Sequence, residues 1–233
     1  MVEQRFCKPW VRGSSPLSGL VRRLRFAIGV ARRDPRLLVD YVRLWVGARR
    51  DVRAVPADPD CASMDADPGL AGLAYTLVRE RRPATVIETG VARGITSMHV
   101  LRALAENEFG ELHSIDLPPP RMVDAGLVGA AIPDQLKDRW HYHWGSARRL
   151  LRGVLADSAG PRLFIHDSDH SYRHMRWEIE TAWAALEPGD VILCDDAHFH
   201  SGFADAAGAV GGEPTFVARG SDPAGLTGVL IRV

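Results

Sequence analysis

From residue 70 onward, the apolar positions of this chain change period in a regular order. Short apolar runs predict strands over residues 85–88, 111–115, 141–144, 162–166 and 191–194. Between them, apolar residues recur at helical spacing. Helices are predicted over 70–82, over 96–106 (Met98, Leu101, Leu104 and Ala105 on one side), over 133–140 and over 150–156. A further helix over 175–186 has Trp177, Ile179, Ala182, Trp183 and Leu186 as its apolar set and stops at Pro188-Gly189. Two last strands, 215–218 and 229–233, have no strong helical pattern between them and read as an antiparallel hairpin at a sheet edge. Strands alternating with helices of about 10–15 residues mean βαβ units. The expected fold is α/β: a doubly wound, mainly parallel, Rossmann-like sheet with a C-terminal antiparallel edge hairpin.

The first 55 residues change that picture. They hold 13 Lys and Arg against 4 Asp and Glu, whereas the remainder holds 16 against 25. Their arginines are interleaved with Leu20, Val21, Leu24, Phe26, Ile28, Leu37, Tyr41 and Trp45. Residues 1–55 are therefore expected to form a basic, amphipathic helical arm lying over an acidic core or a neighbouring subunit. A domain over 56–233 follows, after a Pro- and Asp-rich linker over 51–69. Homo-oligomerisation is expected. No pattern of a nucleic-acid reader is present, and no run approaches the ~18 apolar residues of a membrane span. Cys7, Cys61 and Cys194 are too scattered for a disulfide framework or a zinc ribbon. With no secretory h-region, a cytoplasmic setting is expected.

The candidate chemistry sits where strands end. In residues 86–97, VIETGVARGITS, Gly90 and Gly94 follow a core strand. A glycine turn before a helix lets a ligand approach backbone N–H groups, although G-x-x-x-G alone also fits a plain strand-to-helix turn. Asp116 ends the next strand, where such folds hydrogen-bond a ribose diol. Glu88 lies inside the first strand, and a buried carboxylate needs a partner. An ammonium group on a cofactor would provide one, while a dinucleotide pyrophosphate would be repelled. That points away from NAD and toward S-adenosylmethionine. Two further strands, in LFIHDSDH (163–170) and VILCDDAH (191–198), discharge Asp167, Asp169, Asp195 and Asp196 at their ends. Converging carboxylates on adjacent strands suit a hard divalent cation.

These strings carry a resemblance. ETGVARGITS, HSIDLP, HWGSA and FIHDSDHSYRHMRWEIETAWAALEPGDVILCDDAH are similar to class I S-adenosylmethionine-dependent methyltransferases. More narrowly, the chain from about Leu70 to Val233 resembles the metal-dependent O-methyltransferases of the macrocin and mycinamicin type, which modify sugars on natural products. Cephalosporin hydroxylase-like proteins and catechol O-methyltransferases are more distant. The resemblance implies that Glu88, Gly90, Gly94 and Ser97 hold the methionine end of the cofactor and Asp116 the ribose. It places Ser146 and Ala147 at the adenine. Asp167 stands by the cofactor and, with Asp195 and Asp196, around Mg²⁺ or another hard divalent cation. His170 is the implied general base, and a small-molecule hydroxyl the acceptor. Relatives often have a Glu or an Asn in the second acidic pair.

Other residues read more plainly. Asp169 is placed to cap the helix that follows. His166, His170 and His174 share the i, i+4, i+8 spacing of zinc ligands, but a strand ending at His166 breaks that face. His198 and His200 read as surface-loop residues or as lining of an acceptor pocket. The tryptophans at 140, 144, 177 and 183 are expected in the core.

Overall fold

The computed structural model describes residues 68–124, 126–218 and 225–233. The expected arm over 1–55, and the boundary and linker that follow it, lie outside the described residues, apart from residues 68 and 69. Helix α1 (Pro68–Arg81) starts two residues before the apolar period does, because Pro suits a first helical turn. Then follow β1 (Thr85–Thr89), α2 (Ile95–Asn107), β2 (Glu111–Asp116), a short α3 (Pro120–Asp124), a 3₁₀ helix (Asp134–Arg139), β3 (Trp140–Trp144) and α4 (Ala147–Asp157). The chain continues through β4 (Arg162–His166), α5 (Tyr172–Ala185), β5 (Val191–Cys194), α6 (Gly202–Ala209), β6 (Thr215–Ala218) and β7 (Leu226–Ile231).

The seven strands form one sheet in the order β3-β2-β1-β4-β5-β7-β6. All neighbours are parallel except β7, which runs antiparallel to both β5 and β6. The C-terminal hairpin at the sheet edge is thus as expected. Alternation along each strand feeds two apolar layers. Val86, Leu112, Leu163 and Leu193 pack under α1 and α2 with Leu70, Val78, Leu101 and Leu104. Ile87, Ile115, Phe164 and Ile192 pack on the other face with Leu151, Met175, Ile179, Ala182 and Phe203. Both faces are covered, so β1 and β5 are buried along their whole lengths.

Several expectations need correction. Trp144 is 59% exposed, not core. Trp177 and Trp183 are half-buried, and each lies under a guanidinium, Arg148 at 4.3 Å and Arg232 at 5.5 Å. Met175 takes the central place on α5 instead. Among the described residues no helix is long and apolar enough to cross a membrane.

Candidate active site

Strand order sets the place. The chain leaves β1 toward β2 on one side and returns to β4 on the other, so the switch point lies between the C-terminal ends of β1 and β4. The ladder runs one residue past the strands there. Gly90 N–H donates to Ile115 O at 2.9 Å, Asp167 N–H to Thr89 O at 2.9 Å, Asp195 N–H to His166 O at 2.8 Å and Gly145 N–H to Asp116 O at 2.9 Å. Gly90, Asp116, Asp167 and Asp195 therefore form one row across four strands.

Gly90 has φ +87°, and a Cβ there would lie 2.1 Å from the Asp167 carbonyl oxygen. The glycine is required by β4's own backbone, a closer constraint than any ligand. Gly94 has φ +83° and sits against Gly129 and Ile132. Asp116 closes the turn: its Oδ2 accepts from Val91 N–H at 3.1 Å and Ala92 N–H at 3.2 Å. Burial raises its carboxyl above the usual range, and these amides oppose the rise.

Glu88 and Ser97 are fully buried, so their side chains lie beneath the turn rather than on its open face. The partner expected for Glu88 is internal. Its Oε2 accepts from Ser97 Oγ at 2.6 Å and Ser114 Oγ at 2.8 Å, and Trp140 Nε1 donates onward to Ser114 Oγ at 2.9 Å. Its Oε1 has no hydrogen-bond donor among the described residues. Burial pushes the Glu88 carboxyl up to about 7, against the two serines. Ser146 and Ala147 stand at the start of α4, next to the exposed Trp144.

On the other side of the switch point, Asp167, His170 and Asp195 bring one ligand atom each within 4.8 Å of one another. His170 lies between two acids: Nε2 is 3.6 Å from Asp167 Oδ1, and Nδ1 is 3.6 Å from Asp196 Oδ2. Asp196 thus meets this cluster through its histidine and is not one of the three. It holds φ +51°, a left-handed backbone that aspartate tolerates better than most. An octahedral Mg²⁺ with bonds of about 2.0–2.1 Å sets its oxygens about 3 Å apart when adjacent and about 4 Å when opposite. The carboxylates of Asp167 and Asp195 fit that donor set.

The other histidines do different work. Asp169 does not cap the helix as expected: Ser171 is the N-cap residue, and Asp169 closes the turn before it, accepting from Ser171 N–H at 2.9 Å and Ser171 Oγ at 3.1 Å. His166 and His174 do not join His170 in a zinc-like stripe. Both turn to Glu178 on α5, at 2.6 and 2.7 Å. Thr89 Oγ1 and Ser168 Oγ also donate to this fully buried carboxylate, at 2.6 and 2.9 Å. Burial alone would raise Glu178, but His166 and His174 outweigh it and hold the carboxyl well below its usual range. The His166 ring then meets His170 edge-on, centroids 5.5 Å apart. His198 Nδ1 accepts from Leu226 N–H, and His200 Nε2 donates to His170 O at 2.8 Å, so both tie loops together. Sequence reasoning missed Glu178, whose only signal was its i+4 spacing from His174. It also missed Phe199, a 43% exposed ring lying 6.2 Å from His170. A cavity of about 280 Å³ opens at the opposite ends of β4 and β5, lined by Arg81, Arg162, Glu187 and Asp190 among others, far from these groups.

A family model described as a methyltransferase domain matches residues 87–197, from within β1 to just past β5, which takes in the row of strand ends and the Asp167, His170 and Asp195 cluster. Over that stretch the chain is similar to a methyltransferase domain. Solved structures share its fold. An O-methyltransferase from Bacillus cereus in complex with SAH is 16% identical, with TM-score 0.62 over 80% of this chain and 91% of that one. The O-methyltransferase TomG from Streptomyces achromogenes, in complex with SAM, is 17% identical, with TM-score 0.54 over 82% and 90%. CmcI is 22% identical, with TM-score 0.51 over 73% and 72%. No curated protein sequence matches the chain. At these identities the structures establish the class I methyltransferase fold.

Proposed function

We propose that this methyltransferase domain takes S-adenosylmethionine as donor and methylates a hydroxyl of a small molecule, with help from a hard divalent cation. The narrower resemblance favours a sugar hydroxyl on a natural product. The observation that carries the reading is the convergence of Asp167, Asp195 and His170 beside the Gly90 turn. Gly90, Gly94 and Asp167 receive the methionine end, with Glu88 and Ser97 supporting the turn from below. Asp116 takes the ribose, and Ser146 with Ala147 borders the adenine. When bound, the donor supplies an electrophilic methyl group, and Mg²⁺ lowers the pKa of the acceptor hydroxyl and fixes its oxygen. Asp167 and Asp195 supply carboxylate oxygens for the ion, with Asp196 as third acid. Asp167 and Asp196 flank the two ring nitrogens of His170 at 3.6 Å each, so the imidazolium formed when the ring takes the acceptor's proton is stabilised on both sides. Phe199 gives the acceptor an apolar wall.

Methyl transfer should stop on chelation and return with Mg²⁺. Asp167→Ala and Asp195→Ala should each abolish the metal-dependent rate while S-adenosylhomocysteine still binds to Asp195→Ala. His170→Ala should lower the rate by about 10²–10⁴-fold, as for a positioned general base. If chelation leaves the rate unchanged and His170→Ala still removes it, His170 with its flanking acids works without metal. Calorimetry showing tight NAD binding would reject the donor.

A further inference from the structure

A second cluster of ionisable groups lies on β2 and β3, away from the row of strand ends. Glu111 and His113 belong to β2, His141 and His143 to the edge strand β3. The register pairs His113 with His141 and Ile115 with His143, and alternation sets all four polar residues on one face of the sheet. Glu111 Oε2 is 2.5 Å from His141 Nε2 and 3.9 Å from His113 Nε2. The ligand atoms of these three residues all lie within 4.8 Å of one another. A tetrahedral ion with bonds of about 2.0–2.1 Å needs its ligand atoms about 3.3 Å apart, so only small rotations close the set.

His143 gives His113 a partner, and which ring donates follows the tautomer. His143 Nε2 lies 3.1 Å from His113 Nδ1. With His113 Nδ1–H donating there, His113 Nε2 carries a lone pair on the side of Glu111. Metal-bound imidazoles characteristically donate their far N–H to such an acceptor. An ion pair between Glu111 and His141 alone explains two of the four residues. It does not explain why His113 stacks on both His141 and His143, at 4.6 and 5.3 Å.

We propose that Glu111, His113 and His141 bind a borderline divalent transition metal, with Zn²⁺ the fitting ion, and that His143 orients His113 from behind. Two imidazoles and one carboxylate are a zinc donor set, and the fourth position stays open to water. The ion would tie the edge strand to its neighbour. Glu111 begins β2, about 16 Å along the strand from Asp116, so the site is separate from the methyl-transfer row.

The test is calorimetric titration of the full chain with Zn²⁺ in excess Mg²⁺. The wild type should take up one tight equivalent. His113→Gln combined with His141→Gln should lose it, and His143→Ala should weaken it about 10–100-fold. Methyl transfer should be unchanged in these variants, since none lies in the methyl-transfer site. No tight Zn²⁺ in the wild type, or equal uptake by the double variant, would overturn the proposal. Anomalous diffraction from Zn²⁺-soaked wild-type crystals needs no variant. An ion between Glu111 and His141 supports the site, and one found only at Asp167 and Asp195 refutes it.

Discussion

Glu88 shows how much a single side chain decides. Its folded carboxyl titrates near 7, above the ordinary value of 4.5. A raised acid contributes stability that is fully present below pH 4.5 and is lost as pH climbs through 7. Glu88→Gln keeps the shape and removes the titration. Its stability advantage over wild type should therefore grow between pH 5 and pH 8, by on the order of 3 kcal/mol, in urea titrations of ligand-free protein. A pH-independent difference would show that Glu88 does not titrate in this range. Gly90 makes the same point sterically. Gly90→Ala sets a methyl 2.1 Å from the Asp167 carbonyl at φ +87°. It should cost about 2–4 kcal/mol, read as a lowered urea midpoint, because left-handed strain and overpacking add.

At the scale of elements, the sequence was most legible where short apolar runs stop at turn residues, on the buried strands β4 and β5 and on the partly exposed edge strand β6 alike. Strands β4, β5 and β6 fall at the residues that their apolar runs predict, and β1 and β2 extend one residue further. Helix α6 was not legible. Its sequence GFADAAGA is small and Gly-rich, and its signal is the spacing of Phe203, Ala206 and Ala207. Gly228 on β7 leaves room for the Phe203 ring of that helix. A Cβ on Gly228 would meet the Phe203 ring at 2.4 Å. Gly228→Ala should cost about 1–3 kcal/mol, and Phe203→Leu should relieve part of it in a double-mutant cycle. The row of acids was legible because strand ends are punctuated by charge. The pairing of His170 with Asp196, the internal partners of Glu88 and the Glu178 network were not. Each depends on contacts between different elements, and only the i+4 step from His174 to Glu178 is local.

At the scale of the molecule, ligands and charge enter. S-adenosylhomocysteine at 100 times its Kd should stabilise the fold by about 2.7 kcal/mol, seen as a raised melting temperature. Asp116→Ala should lose most of that gain. We also propose that residues 1–55 serve self-association or the acceptor pocket, given their excess of positive charge. Light scattering on a chain beginning at residue 56 tests this, and an unchanged oligomer with full activity would refute it. The stitched strand ends have one more consequence. Gly90, Asp167, Asp195 and Gly145 are each held by a main-chain hydrogen bond. Replacing a reactive side chain in that row leaves its anchor in place. A chemically dead Asp195→Asn protein should keep the architecture of the live one and stall with donor and acceptor side by side, which makes it the form in which an unknown acceptor, fished from a cell extract, can be caught and seen.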